Sequence, residues 1–414
     1  MINPSSNPRL AFLFPHFPAP ADIWIQSEME MLMRLGWEIN VFALSYDSQQ
    51  IAAMPSEIRA LTAGMGERTR PSPRLAGVEV PTDPEDRLPA DTGQVRKTVM
   101  NLYRGQPLKM LEMRAFNDKM LALARDMRMK RIGHIIAQYA TRPALGAWII
   151  HQVTGIPYSV RVHGPELAGP SPEAAAALAG AAFVATATQS AREKLSKNYG
   201  ESVAARTSVV HYGLDVNAYP QRIGILRAEP PFEVVCERPL EADQGLELLV
   251  DACAGLLNEG LPLHLQIFGE GGLRKSLQKK IDQLQHKNAV DLPGKLSPDE
   301  RTRRMAAADC YIDPLPELRG EREALPLALF EALACSLPVV ATNLPGRDEL
   351  VRHYETGVLI PTGDSSTLGS GIRDIYNGPA KAARMARAGR ALILNEFDPV
   401  ANARLLGDLI LQQR

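Results

Sequence analysis

Residues 10–44 read LAFLFPHFPAPADIWIQSEMEMLMRLGWEINVFAL, a short apolar run, an amphipathic stretch and a second apolar run in succession. Leu10-Ala-Phe-Leu-Phe14, closed by Pro15, has the continuous apolar character of a strand covered on both faces. Behind Asp22, which can cap a first turn, Ile25, Met29, Leu32 and Leu35 recur at helical spacing, and Gly36 stands where a left-handed C-terminal residue is wanted. Ile39-Asn-Val-Phe-Ala-Leu44 then supplies a second strand. A strand, a helix and a strand in that order predict a β-α-β unit with parallel strands.

The alternation continues outward from this unit. Strand-like runs recur at His134-Ile-Ile-Ala137, Tyr158-Ser-Val-Arg-Val162, Ala182-Phe-Val-Ala185 and Ser208-Val-Val210, with helical stretches between them. It restarts after a proline-bearing joint at residues 227–232, with Glu233-Val-Val235, a helix over 246–257, Leu263-His-Leu-Gln-Ile-Phe268, a helix over 273–284, Cys310-Tyr-Ile312 and Pro338-Val-Val-Ala341. The expected architecture is α/β, with two doubly wound, Rossmann-like parallel sheets facing across a cleft. The boundaries read 1–226 for the first domain, 227–395 for the second, and 396–414 for a C-terminal helix. Prolines at 55, 71, 73, 81, 84 and 89 break every period and mark an irregular insertion over about 51–95.

Composition narrows the function classes. The 414 residues exceed what one core usually serves, and 45% hydrophobic with 22% charged residues is ordinary globular composition. The 46 basic and 47 acidic side chains leave a formal charge of -1, so no whole-molecule field favours nucleic acid, which is not expected as a partner. Cys236, Cys253, Cys310 and Cys335 show no zinc-ligand spacing, and no metal site is expected. The run 10–14 is too short for a signal-peptide core or a membrane span, so the expected location is cytoplasmic. Residues 96–131 are rich in Arg and Lys interleaved with Met and Leu, which reads equally as a solvated helix face or as a peripheral contact with an anionic inner membrane.

Ligands of open α/β sheets bind outside the carboxyl ends of the strands, so loops after strands are where chemistry is sought. The richest follows Cys310-Tyr-Ile312 and runs from Pro314 through Glu323-Ala-Leu-Pro326 into a helix containing Glu331. Pro326 suits a first helical turn, and exposed amides there can receive a phosphate. Glu323 and Glu331 could both accept hydrogen bonds from sugar hydroxyls, or be a capping acid and a solvated helix position.

The segment Glu323-Ala-Leu-Pro-Leu-Ala-Leu-Phe-Glu331-Ala-Leu-Ala-Cys-Ser-Leu-Pro-Val-Val-Ala-Thr342, with Pro345-Gly-Arg-Asp-Glu-Leu-Val351 and Glu355-Thr-Gly-Val-Leu-Ile-Pro-Thr-Gly-Asp364, resembles the C-terminal signature of the family 4 retaining glycosyltransferases of GT-B fold. Val209-Val-His-Tyr-Gly-Leu-Asp215, Phe268-Gly-Glu-Gly-Gly-Leu-Arg274, Pro293-Gly-Lys-Leu-Ser297 and Ala306-Ala-Ala-Asp-Cys-Tyr-Ile312 extend the resemblance. Phe14-Pro-His-Phe-Pro18 with Asp22-Ile-Trp-Ile-Gln26 resembles the subgroup that builds bacterial exopolysaccharides such as colanic acid.

The resemblance implies a sugar moved with retention from a nucleoside-diphosphate sugar to a glycan or lipid-linked glycan, with no cofactor and no metal. It implies catalytic roles for His163 and Glu323, ribose binding by Glu331, and donor contacts from Ala324, Leu325, Pro326 and Gly269. His16, Gln138 and Glu166 fall on the acceptor side; Gln138 and the nearby Arg142 read equally as core or surface residues, Glu166 equally as a surface acid, and a lone His163 would read as an ordinary surface or hydrogen-bonded histidine. One departure stands out. Where relatives clamp the donor diphosphate with an Arg and a Lys, this chain has Pro239 and Gln244, flanked by Glu237, Glu241 and Asp243. A buried dianion without cations is costly, so Arg238, Arg322 or Arg319 substitutes, or turnover has been lost. A catalytically silent relative that binds a sugar nucleotide or a partner enzyme is the alternative, and a GT-B epimerase a third.

Overall fold

The computed structural model describes residues 7–18, 23–52, 54, 56–62, 88, 91–222, 230–316 and 325–413. The chain separates into two compact units, Met1–Gly213 with Pro399–Arg414, and Leu214–Asp398. The division falls earlier than the expected 226/227. Residues after 213 are tied to the second unit: Leu214 N–H donates to Phe397 O at 2.9 Å, and Arg222 reaches Asp309 at 2.5 Å. Residues 227–229 of the expected joint at 227–232 lie outside the described residues.

The first unit holds strands β1 (Arg9–Phe14), β2 (Ile39–Ala43), β3 (Ile132–Gln138), β4 (Tyr158–Val162), β5 (Val184–Thr186) and β6 (Thr207–Val209). They form one sheet in the order β2-β1-β3-β4-β5-β6, every neighbouring pair parallel. The strand order reverses between β1 and β3, which is where an open sheet leaves a crevice beyond its carboxyl ends. β1 is buried from Leu10 to Phe14, as its unbroken apolar run requires. Helix Ile23–Arg34 turns Ile25, Met29 and Leu32 onto the sheet, and Gly36 takes φ +86° after it; Asp22, the expected cap, lies outside the described residues. The same core receives Ala403, Leu406 and Ile410 from helix Pro399–Leu411, packed with Phe12, Phe14 and Trp37. Burying each such large side chain contributes about 1.5–3 kcal/mol.

The stretch expected to be irregular is partly helical, because short helices fit between its prolines: Ser48–Ala52 and Ser56–Leu61 flank Pro55, and helix Thr92–Asn101 begins behind an Asp91 cap. The basic stretch forms two helices, Thr92–Asn101 and Pro107–Met129, interrupted at Gly105 with φ +87°.

The second unit holds β7 (Phe232–Glu237), β8 (Leu263–Phe268), β9 (Val290–Gly294), β10 (Cys310–Asp313), β11 (Val339–Thr342) and β12 (Val358–Ile360), in the parallel order β12-β11-β10-β7-β8-β9. Here the order reverses between β7 and β10. Both edge strands, β9 and β12, were absent from the sequence reading. Val290-Asp-Leu-Pro-Gly294 contains Pro293, which cannot donate to a ladder and is tolerated because β9 is an edge. All four cysteines are free and buried. No helix among the described residues is long and apolar enough to cross a membrane.

Candidate functional site

Each reversal point carries a cluster of polar side chains, and each unit's cluster is described by itself.

In the first unit, β3 ends on Gln138 and β4 delivers His163 one residue past its end. Burial, and secondarily the Arg161 guanidinium, hold His163 well below the usual histidine range, so its ring is neutral. Nε2–H then donates to Gln138 Oε1 at 2.8 Å, while the Tyr212 hydroxyl donates to Nδ1 at 2.9 Å. Both ring nitrogens are thereby committed inside the unit. Glu166 Oε1 accepts from the backbone N–H of His163 at 3.0 Å and of Ala140 at 3.2 Å. Burial raises its carboxyl, against those amide bonds. Gln138 Nε2 and Glu166 Oε2 are buried without a hydrogen-bond partner. Tyr212 stacks between Trp24, 5.2 Å away, and His163, 6.1 Å away, and Arg161 lies over the same ring while pairing with Glu28 at 3.0 Å.

The expected catalytic His163 and the expected acceptor-side residues Gln138 and Glu166 are therefore brought together. His16 is exposed in the turn after β1, bonded to Ser45 at 2.9 Å. Arg142 is held by Glu112 at 3.1 Å and Glu173 at 3.4 Å, pinned to neighbouring helices as a surface residue.

In the second unit, helix Leu327–Ala334 starts behind Pro326, which occupies the cap, and carries Glu331, 2% exposed. Glu331 Oε1 accepts from Arg301 Nη2 at 2.5 Å and from the Tyr219 hydroxyl at 3.0 Å; Oε2 is buried and unpartnered. Arg301 comes from helix Pro298–Ala307 and reaches Glu237 Oε1 at 3.1 Å with its other nitrogen. Burial raises both carboxyls and Arg301 opposes it. Glu237, expected to repel a diphosphate, is thus paired. Leu325 is 9% exposed and Pro326 begins the turn into the helix. Glu323 and Ala324, with Arg319 and Arg322, lie outside the described residues.

Two glycines explain how the loops approach. Gly269 has φ +149° and would place a Cβ 1.9 Å from the Arg238 carbonyl oxygen, so the backbone after β7 packs against it. Gly245, φ +71°, would place one 1.9 Å from the Pro314 carbonyl oxygen, which brings the loop after β7 hard against the loop after β10. Gln244 is half-buried beside it. Arg238 is 8% exposed and pairs with Asp313.

Sequence reasoning did not single out Tyr219, Arg301, Tyr212, Asp313 or Arg347. Tyr219 and Arg301 closely follow the quoted runs ending at Asp215 and Ser297, and Arg347 lies within one; their partners are remote in sequence.

Residues 222–392 match the Glycosyl transferases group 1 family. The match falls within the second unit, and the two parallel six-stranded sheets have the GT-B architecture. Among curated relatives, the amylovoran biosynthesis glycosyltransferase AmsK of Erwinia amylovora is 30% identical over 44% of this chain, and the putative colanic acid biosynthesis glycosyltransferase WcaL of Escherichia coli 29% over 39%. The matches span 44% and 40% of those relatives' own lengths, less than half of each. The exopolysaccharide-type resemblance read from the sequence is borne out. Among solved structures, Anabaena Alr3699/HepE in complex with UDP superposes over 98% of this chain and 100% of its own, with TM-score 0.67 and 17% identity. Sucrose-phosphate synthase from Thermosynechococcus elongatus covers 98% of each chain at TM-score 0.66 and 17% identity.

Proposed function

We propose that the protein is a glycosyltransferase that moves a sugar, with retention, from a nucleoside-diphosphate sugar to a polysaccharide or lipid-linked oligosaccharide. The observation that carries this reading is Glu331. One carboxylate oxygen is fixed by Arg301 and Tyr219, and the other is buried without a partner in the helix that follows β10. A carboxylate held this way is preorganised to accept hydrogen bonds from ribose hydroxyls. The group 1 match of this unit supports a nucleotide-sugar donor, as do neighbours of the same fold solved with UDP and UDP-glucose.

In this scheme the second unit binds donor and stabilises the departing diphosphate, and the donor phosphate takes the acceptor proton, so neither a protein nucleophile nor a metal is required. Neutral His163, with Gln138 and Glu166, lies on the acceptor side. Glu323 meets the donor sugar. The silent-relative reading is favoured by one feature, the uncharged Pro239 and Gln244.

A thermal-shift screen of sugar nucleotides, followed by a product assay on each hit, decides between them. Binding with transfer supports the enzyme, binding without transfer the silent relative, and no binding contradicts both.

The acceptor side is proposed to touch the cytoplasmic face of a membrane. Leu108 and Leu111, 84% and 69% exposed, sit with exposed Arg104, Lys109 and Arg114 around the start of helix Pro107–Met129. Exposed leucines ringed by cations suit an anionic bilayer. Co-sedimentation with phosphatidylglycerol vesicles, lost in Leu108→Glu/Leu111→Glu, is expected; retention by that variant contradicts the contact.

A further inference from the structure

Side chains from separate segments of the first unit meet at the His163 ring. Tyr212, in the loop after β6, lies nearly parallel to it, the two ring planes 4° apart, and its hydroxyl is 2.9 Å from Nδ1. Gln138, closing β3, puts Oε1 2.8 Å from Nε2. Tyr139, the next residue, packs tilted against the imidazole at 4.5 Å and has φ +73°, a left-handed backbone that a bulky residue adopts only where its surroundings enforce it. Glu166 Oε1 accepts from the His163 backbone N–H at 3.0 Å. The ring is thereby fixed in place, and which of its nitrogens carries the proton is set by the groups it meets.

Tyr212 is itself held. Trp24, from helix Ile23–Arg34, stacks on it with ring centres 5.2 Å apart and 11° between the planes, and the Arg161 guanidinium lies 5.5 Å from its ring centre. Arg161 is 1% exposed, pairs with Glu28 at 3.0 Å and donates to Val210 O at 2.7 Å, so this cation cannot swing away. A fixed positive charge beside a phenol favours loss of its proton, which makes the hydroxyl a better donor and a poorer acceptor. Gln138 has no such bias. Its amide can turn end for end, offering Oε1 to an N–H or Nε2 to a lone pair, and so pairs with either tautomer of the ring.

We propose that Tyr212 is a positioning residue whose hydroxyl, biased by Arg161, donates to Nδ1 and fixes His163 as the Nε2–H tautomer. The imidazole then has no free lone pair. It meets a ligand as a hydrogen-bond donor, through Nε2–H, and not as a base. Gln138 Oε1 takes that hydrogen bond within the unit, and a sugar hydroxyl oxygen is an acceptor of the same kind. The tautomer stands independently of any activity, whereas the role given to Nε2–H rests on the acceptor-side reading of this unit and deepens it.

The test uses the full chain labelled with nitrogen-15 histidine, because the chemical shifts of the ring nitrogens distinguish the two tautomers and the imidazolium. The sequence has eight histidines, and the signals of His163 are those lost in His163→Asn. At pH 7 the parent should show His163 as one neutral tautomer with its proton on Nε2. A proton on Nδ1, or on both nitrogens, overturns the inference. Tyr212→Phe keeps the ring that packs with Trp24 and Arg161 but deletes the donor, so its His163 signals should become those of a tautomer mixture. Gln138→Leu should keep the single tautomer. A single Nε2–H tautomer retained in Tyr212→Phe, or a mixture in Gln138→Leu, shows that Tyr212 does not set the proton and overturns the inference. If Tyr212→Phe does not fold, the spectra of the parent and of Gln138→Leu decide. With a donor and acceptor pair that the parent turns over, Tyr212→Phe should lower kcat by about fivefold, the worth of one hydrogen bond, with the donor KM little changed. A parent-like kcat in a variant whose tautomers are mixed overturns the role of Nε2–H. If the parent transfers no sugar, the acceptor-side reading falls and that role with it, while the spectra still decide the tautomer.

Discussion

Arg301 Nη2 lies 2.5 Å from Glu331 Oε1, and the same guanidinium spans to Glu237 at 3.1 Å. One cation thus serves two carboxylates that burial pushes toward protonation. Removing Arg301 leaves buried Glu331 without its counter-charge, a change that costs about 3–5 kcal/mol where a buried pair is broken, while half-buried Glu237 keeps the Arg238 charge nearby. Arg301→Leu should therefore lower the urea midpoint of the second unit at pH 7. Its sign with pH also follows. Without Arg301 the folded-state carboxyls rise further above their unfolded values, the native state binds more protons, and stability recovers as pH falls from 7 toward 5. A parent-like midpoint with no recovery contradicts the bridge.

Gly245 and Gly105 form a matched pair for testing the contact between the loops after β7 and β10. Both have positive φ, but a Cβ at Gly105 meets nothing within 4 Å whereas one at Gly245 falls 1.9 Å from the Pro314 carbonyl oxygen. Gly105→Ala should cost only the left-handed penalty, about 1–2 kcal/mol. Gly245→Ala should cost clearly more, and should also weaken nucleotide binding by moving Pro314 and Asp313. Equal losses of stability in thermal unfolding, with binding intact in both, would show that the loops do not press together.

His134 lies inside the first unit, 1% exposed, with Nε2 3.0 Å from Ser159 Oγ, and burial pushes it down to about 3. A depressed histidine contributes stability that is fully present above its unfolded value of about 6.5 and is lost as pH falls toward the folded value. Between pH 6 and 4 the unfolded state binds one more proton at this residue, a slope of about 1.4 kcal/mol per pH unit. His134→Asn should flatten the acid limb of the first unit's unfolding free energy by about that slope. An identical limb in parent and variant contradicts a buried neutral imidazole.

Much of the fold was legible because parallel strands covered on both faces write themselves as apolar runs. Leu10–Phe14, Tyr158–Val162 and Leu263–Phe268 stand out this way. The edge strands were illegible for the opposite reason. Val290–Gly294 carries Asp291 and Pro293, and Val358–Ile360 is three residues long. At the site, Glu331, Gln138, His163 and Glu166 were singled out through the family resemblance. The partners that fix them were not, because pairing across the fold leaves no local signature: Arg301 with Glu237 and Glu331, Tyr212 with His163, Arg347 with Asp313. Glu237 was misread as a repelling charge because its neutralising Arg301 lies beyond β9, on a separate helix.

Glu331 is proposed to receive the ribose of a nucleoside diphosphate, and calorimetry with a matched ligand pair decides whether it does. A nucleoside diphosphate and its 2′,3′-dideoxy counterpart are titrated into the parent and into Glu331→Gln, each first shown to be folded by circular dichroism. The parent should prefer the ribose form by about tenfold or more, as loss of hydrogen bonds to a charged group requires, and Glu331→Gln should lose most of that preference. Equal affinity of the parent for the two ligands, or an undiminished preference in Glu331→Gln, would contradict it.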